Sequence, residues 1–306
     1  MDLPADIARA VEALKAGGLV ILPTETVYGL AADAADPRAV AAVYEAKGRP
    51  SFNPLIAHVA DVAMARRIAR FDTRAEWLAE RFWPGPLTLV LPVLDDTAVC
   101  DLARAGLDTV AVRAPAHPIA QSVLQAYGGP LVAPSANRSG RPSPTTLADA
   151  LEETGPAAAI ALDGGPCAIG LESTVVALLD APRLLRPGAV TRAEIEAVAG
   201  SLAEAEADAK RSPGRLTRHY APNLPLRLNA KEPRSDEVWL GFGLNGGAGF
   251  NLSPDGDLAE AAANLFAYLR AADRTQPAAI AVAPIPHEGL GEAINDRLKR
   301  AAGFVG

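Results

Sequence analysis

Short apolar runs of strand length, parted by stretches of helical periodicity, most narrow what this chain can fold into. The clearest runs are LVIL at 19–22, LIAHV at 55–59, LTLVL at 87–91, TVAVR at 109–113 and TVVALL at 174–179. Shorter ones lie at 131–133 and 159–162. Helical patterns at 61–70, 73–82 and 117–126 separate several of them. A first helix places Ile7, Ala10, Val11 and Leu14 on one face and stops at Gly17-Gly18. Asp36-Pro37 reads as an N-cap with proline at the first helical position. The helix behind it turns Val40, Val43 and Tyr44 inward and delivers Lys47-Gly48-Arg49 at its end. Thr191 and Glu194 have capping-box spacing for a closing helix to about residue 199. This alternation predicts an α/β fold with a mixed sheet and helices.

The 306 residues exceed a comfortable single domain, so one large unit plus a small one is expected. Composition shifts after residue 200. Residues 202–208 are acidic and alanine-rich, and the following AKRSPGRLTRHYAPNLP carries Lys210, Arg211, Arg215 and Arg218 without an acid. Its prolines and Ser212-Pro213-Gly214 suggest an extended linker. A smaller α/β unit then reads as strand 238–243, helix 257–271, strand 279–283 and helix 291–302. The expected division is 1–200, a linker at 201–227, and 228–306.

Charge and cysteine content exclude several classes. A net charge of −7 argues against coating nucleic acid by bulk charge. Cys100 and Cys167 are too few for a disulfide framework, and with four scattered histidines they make no zinc spacing. The N-terminus lacks a basic start followed by an apolar stretch, and no run of 18 apolar residues exists, which points to the cytoplasm and away from a membrane.

Four polar clusters sit where strands should end: PTETVYGL (23–30), KGRPSFNPLIAH (47–58), APSANRSGRPSP (133–144), and the stretch from Glu172-Ser173-Thr174 to Arg186-Pro187-Gly188. Open α/β sheets bind ligands at strand ends, so these loops are candidates for one shared site. Lys and Arg hold phosphate by charge and planar contact, while hydroxyls and amides orient oxygens. No nucleophile sits beside its own base, and neither GxxxxGKS nor a strand-placed GxGxxG is present. Each cluster also has a plainer reading. The Pro-Thr loop is an ordinary turn, KGR a complement to a helix dipole, and His58 a satisfied core histidine. On residues alone, the reading stops at an anion or nucleotide site of unknown mechanism.

Taken in order, the motifs are more specific than their parts. PTETVYGLAAD, KGRPSFNPLIAH, WPGPLTLVL, TVAVRAPAH, LVAPSANRSGRPSPT, LESTVV and LRPGAV strongly resemble the YrdC-type threonylcarbamoyl-AMP synthase family over residues 5–200. SPGRLTRHYAP and the tail through INDRLKRAA resemble its long two-domain form. The resemblance implies a YrdC-like catalytic domain built on a twisted mixed sheet with helices, a linker folding over the active site, and a smaller Rossmann-like α/β C-terminal domain. It implies a nucleotidyltransferase that makes threonylcarbamoyl-AMP and pyrophosphate from L-threonine, bicarbonate or CO₂, and ATP with Mg²⁺. The product would pass to a tRNA threonylcarbamoyl transferase for modification next to the anticodon, with weak or no direct tRNA binding by this chain.

Residue by residue, the resemblance implies a threonine pocket of Thr26, His58, Arg113 and Ser173. The ATP side would use Lys47, Arg49, Asn53, Thr109, Ser135, Asn137, Ser143 and Arg186, with Lys47 and Arg49 catalytic. Tyr220 would close over the nucleotide. Ala133 offers only its backbone where relatives can offer a hydroxyl. Three other readings are weighed against this one: an RNA-binding module of the same fold, a carbamoyl-transfer domain of the hydrogenase-maturation type, and a structural partner in a tRNA-modifying complex. The charge disfavours the first. The absence of acylphosphatase and zinc-finger modules disfavours the second, and the full anion-binding loop set the third.

Overall fold

The computed structural model describes residues 3–203, 219–245 and 249–303. A nine-stranded mixed sheet contains β1 (Leu19–Leu22), β2 (Gly29–Asp33), β3 (Ile56–His58), β4 (Leu87–Pro92), β5 (Thr109–Arg113), β6 (Leu131–Val132), β7 (Ala158–Ala161), β8 (Thr174–Leu178) and β9 (Pro182–Arg186). Their spatial order is β7-β1-β2-β6-β3-β5-β4-β8-β9. The helices of this unit are α1 (Leu3–Lys15), α2 (Pro37–Lys47), α3 (Val62–Ala65), α4 (Thr73–Phe82), α5 (Asp101–Arg104), α6 (Pro118–Tyr127), α7 (Leu147–Thr154) and α8 (Arg192–Ala199).

Period-two alternation decides what each strand buries. Val110 and Val112 of β5, with Val176 and Leu178 of β8, enter the main core shared with α2 and α4. Ile56, Val90, Ala111, Val175, Ala177 and Leu185 form a separate apolar patch on the opposite face. His58, Thr109 and Arg113 share that second face by the same alternation. Near β1, α1 and α6 pack Leu14 and Leu124 against Val20 and Leu22.

The structure departs from the sequence reading in four places. Strand β2 was not expected, because its GLAAD sequence has no β-branched residue; pairing with β1 (Val20↔Ala31, Leu22↔Gly29) makes it a strand. Edge strand β9 begins at Pro182, where a missing N–H costs no ladder bond. The helix expected over 61–70 is regular only over α3, because Ala69 bridges Val93 and the Arg70 amide donates to the Pro92 carbonyl at 2.9 Å. Helix α7, capped by the Thr146 hydroxyl, was also not read from its sequence.

The C-terminal unit holds β10 (Leu226–Arg227), β11 (Glu237–Gly241), β12 (Phe250–Asn251), α9 (Leu258–Arg274), β13 (Ala279–Val282) and α10 (Leu290–Ala301). Its sheet runs β10-β13-β11-β12 with every pairing parallel. Strands β10 and β12 are two residues each, too short for a sequence signal. Val27, Leu171 and Tyr220 join this unit's core beside Leu265 and Phe266, so the two units share apolar packing. Helix α9 rests on Gly170, whose φ is +74° and where a Cβ would lie 2.5 Å from the Ala263 Cα. The cationic stretch Lys210–Arg218 belongs to residues 204–218, outside the described residues.

Candidate functional site

Loops from the four polar clusters converge on one chamber. Parallel pairing of β3 with β5 sets His58 directly opposite Arg113. Arg113 is buried, and each of its three guanidinium nitrogens donates one hydrogen bond. Nε donates to the Gly85 carbonyl at 3.1 Å, one terminal nitrogen to the Thr26 hydroxyl at 2.9 Å, and the other to Glu25 at 2.5 Å. The second Glu25 oxygen accepts from the Ala116 amide at 3.0 Å. Burial opposes ionisation of Glu25, but Arg113 and these hydrogen bonds hold its carboxyl below the ordinary range.

His58 is buried beside this cation, and burial followed by the Arg113 charge pushes its pKa down to about 3. The ring is therefore neutral across ordinary pH. Its Nδ1 lies 3.2 Å from the Ile56 carbonyl, which can only accept, so the proton belongs on Nδ1. Nε2 is left as an acceptor.

Across the chamber, Arg186 donates through Nε and a terminal nitrogen to the Ser173 carbonyl at 3.1 and 2.9 Å, and to the Ser173 hydroxyl at 3.2 Å. Helix α2 starts on the Asp36 cap and Pro37 and ends at Gly48, whose φ of 56° is a glycine conformation. That ending buries Lys47, which donates to the Ser135 and Asn137 carbonyls, and directs Arg49 to the chamber. Arg49 also donates to the Asn53 and Pro54 carbonyls at 3.3 and 3.2 Å, ordering the loop that follows. Burial pushes the Lys47 pKa well down, and the nearby Arg49 charge adds to the effect.

Of the residues expected from the sequence, Thr26, His58, Arg113 and Ser173 line the chamber, as do Arg49, Ser135, Arg186 and Tyr220. The other five are not among its lining residues. Lys47 and Asn137 hold the 135–141 loop; the Asn137 amide donates to the Arg138 and Arg141 carbonyls at 2.8 and 3.0 Å. Asn53 is buried and meets Arg49 through its carbonyl. The Ser143 hydroxyl donates to Glu172. Thr109 lies four residues before Arg113, on the same strand face.

Sequence reasoning missed several members. Glu172 lines the chamber and accepts from Arg297 of α10 at 3.0 Å. Burial opposes its ionisation, yet Arg297, Arg186 and the Ser143 hydroxyl keep its carboxyl below the ordinary range. His219 lines the chamber with Nδ1 buried and without a hydrogen-bond partner among the described residues. Burial, then Arg49, Lys47, Arg186 and Arg300, holds its pKa well down. Tyr220 is fully buried at a φ of 63°, a strained conformation for a non-glycine residue. Arg186, the Phe266 ring at 5.4 Å and the Arg297 guanidinium at 5.4 Å surround its side chain. Glu25, Glu172 and His219 adjoin residues already singled out in their motifs, whereas Arg297 sits in a helical pattern with no polar motif around it.

Among the described residues, no group of three His, Cys, Asp or Glu side chains could cage a metal ion, and both cysteines are free. The polar side chains of the lining are cations, hydroxyls, two imidazoles and one carboxylate already answered by Arg297. Such a lining suits a bound anion better than a bare cation. No described helix is long and apolar enough to cross a membrane.

Comparison with known proteins agrees with this fold. Residues 12–188 match the Sua5_yciO_yrdC family model, described as "Telomere recombination". Residues 190–303 match the model described as "Threonylcarbamoyl-AMP synthase, C-terminal domain". The chain is 39% identical to the threonylcarbamoyl-AMP synthase of Bacillus subtilis (strain 168), over 97% of this chain and 93% of the relative. It is 41% identical to that of Pyrococcus abyssi (strain GE5 / Orsay), over 95% of this chain and 92% of the relative. The crystal structure of P. abyssi Sua5 complexed with L-threonine superposes with a TM-score of 0.90 at 39% identity, covering 97% of this chain and 94% of that one. The chain belongs to the threonylcarbamoyl-AMP synthase family, in its long two-domain form.

Proposed function

We propose that the chamber carries out nucleotidyl transfer onto a carbamate built on L-threonine. The neutral amine of threonine adds to CO₂ and releases one proton to solvent, giving the carbamate. A carbamate oxygen then attacks the α-phosphorus of ATP, forming threonylcarbamoyl-AMP and releasing pyrophosphate. With bicarbonate as the carbon source, one water is released as well. The observation that carries this reading is the joining of a carboxylate-type subsite (Arg113, Thr26, Ser173) to a cationic subsite (Arg49, Arg186) in one enclosure.

Arg113 receives the threonine carboxylate, its fork preset by Glu25 and Thr26. Neutral His58 accepts from a threonine N–H or O–H. Arg49, Arg186 and Ser135 face the triphosphate, and charge building on the phosphates is stabilised by these cations. Tyr220 and His219 cover that end. Lys47, Asn137 and Ser143 act through the loop they hold, and Asn53 and Thr109 frame the nucleotide side. The described carboxylates near the chamber are already paired, so Mg²⁺ would be held mainly by the ATP phosphates, where it would supply charge neutralisation. The enclosure keeps the water-labile carbamate from bulk solvent. The product then serves a tRNA threonylcarbamoyl transferase acting on cytoplasmic tRNA.

The test is direct. The protein is mixed with ATP, Mg²⁺, bicarbonate and L-threonine, and the adenylate is sought by mass spectrometry. The threonylcarbamoyl adenylate should form only in the complete mixture. AMP and pyrophosphate released equally without threonine would instead mark a nonspecific pyrophosphohydrolase.

A further inference from the structure

Thr88 lies on β4, fully buried behind the chamber wall, and no motif reading gave it a role. Its hydroxyl oxygen is 2.7 Å from that of Ser173, a distance that leaves the direction of the hydrogen bond open. The surroundings settle the direction. Among the described residues, the Thr88 hydroxyl has no other hydrogen-bond partner. Were Ser173 the donor, the Thr88 proton would be buried with nothing to accept it, a costly arrangement. Thr88 therefore donates.

The consequence falls on Ser173. Its oxygen accepts from Thr88 and from Arg186, at 2.7 and 3.2 Å, which uses both lone pairs. Only its own O–H remains, and Ser173 lines the chamber while Thr88 does not. We infer that Thr88 is a positioning residue that makes Ser173 an obligate hydrogen-bond donor toward an anionic oxygen of the amino-acid substrate. Parallel pairing of β4 with β8, with Thr88 opposite Val175, maintains the geometry, because Ser173 immediately precedes β8. Ser173 thereby resembles Arg113 in polarity, whereas Nε2 of His58 accepts.

This inference rests on the threonine subsite proposed above, and the experiment separates the two. Threonine binding is measured by calorimetry without turnover, alongside KM for threonine and for ATP, in the full chain. Thr88→Val keeps the side-chain shape and removes the donor. It should weaken threonine binding and raise its KM about three- to tenfold, the worth of one neutral hydrogen bond, with KM for ATP unchanged. Thr88→Ser should restore wild-type behaviour. Ser173→Ala should lose as much as Thr88→Val, and the double variant no more than Ser173→Ala alone. Wild-type threonine affinity in Thr88→Val, or fully additive losses in the double variant, would overturn the inference. Parallel losses for ATP and threonine would also overturn it, by reducing Thr88 to a packing residue. If Thr88→Val does not fold, Thr88→Cys supplies the same comparison with a far weaker donor. Wild-type protein that binds no threonine would instead refute the substrate reading itself.

Discussion

Arg297 of α10 and Glu172 of the chamber wall meet at 3.0 Å, with the guanidinium wholly excluded from solvent. The pair joins the C-terminal unit to the site, since Glu172 also accepts from Ser143 and Arg297 also donates to the Pro187 carbonyl at 2.7 Å. Arg297→Met would leave a buried carboxylate without its main counter-charge. A loss of about 3–5 kcal/mol is expected in denaturant unfolding at neutral pH. The deficit should shrink as pH falls, because the unpaired carboxyl can then bind a proton, whereas the native carboxyl resists protonation. A deficit independent of pH would count against this account.

Lys47 and Arg49 are neighbours in sequence with different expected phenotypes. Lys47 is sealed behind the wall on two carbonyls, so Lys47→Met should cost about 1.5–3 kcal/mol of stability as well as ATP affinity. Arg49 faces the chamber, so Arg49→Ala should raise KM for ATP by about tenfold or more while costing under about 1.5 kcal/mol of stability. Melting curves and ATP kinetics on both variants check the contrast, and a reversal would reassign the two cations.

Buried, neutral His58 makes the fold acid-sensitive. The unfolded ring binds a proton near pH 6.5, and the folded one only near pH 3. Within that window the unfolded state holds more protons, so stability is intact above it and falls as pH falls. The slope for this residue is at most about 1.4 kcal/mol per pH unit. His58→Asn should lower threonine affinity yet flatten the fall between pH 6.5 and 4.5, read from urea midpoints. An unchanged slope would assign the acid sensitivity elsewhere, with His219 the next group to test.

Arg113→Lys keeps a charge but loses the fork that reaches Gly85, Thr26 and Glu25 together. Threonine KM should rise about tenfold or more, the range for a charge-assisted hydrogen bond, with KM for ATP little changed. A variant that loses ATP and keeps threonine would reverse the proposed division of the chamber.

Most of the strands could be read locally. LVIL, LTLVL, TVAVR and TVVALL announced themselves by apolar runs of strand length, and the Asp36-Pro37 start and Gly48 end of α2 by capping chemistry. Strand β2 was hidden because glycine and alanines carry no strand preference until β1 and β6 pair with them. Strands β10 and β12 are too short to show a period. The residues of the site were recognisable as a set only from the order of motifs along the chain.

What the sequence determined by itself was the inventory: alternating elements, four polar loops at strand ends, and a motif order that marks the family. Those properties are carried by neighbours within a few residues, where periodicity and capping act. Tertiary structure decided the partnerships. His58 faces Arg113 because β3 and β5 are adjacent and parallel, with that register. Ser173 meets Thr88 because β8 lies beside β4. Glu172 is neutralised by an arginine 125 residues away on the last helix. Each pairing depends on strand order, register and the docking of the second unit, contacts between distant segments that no local pattern encodes.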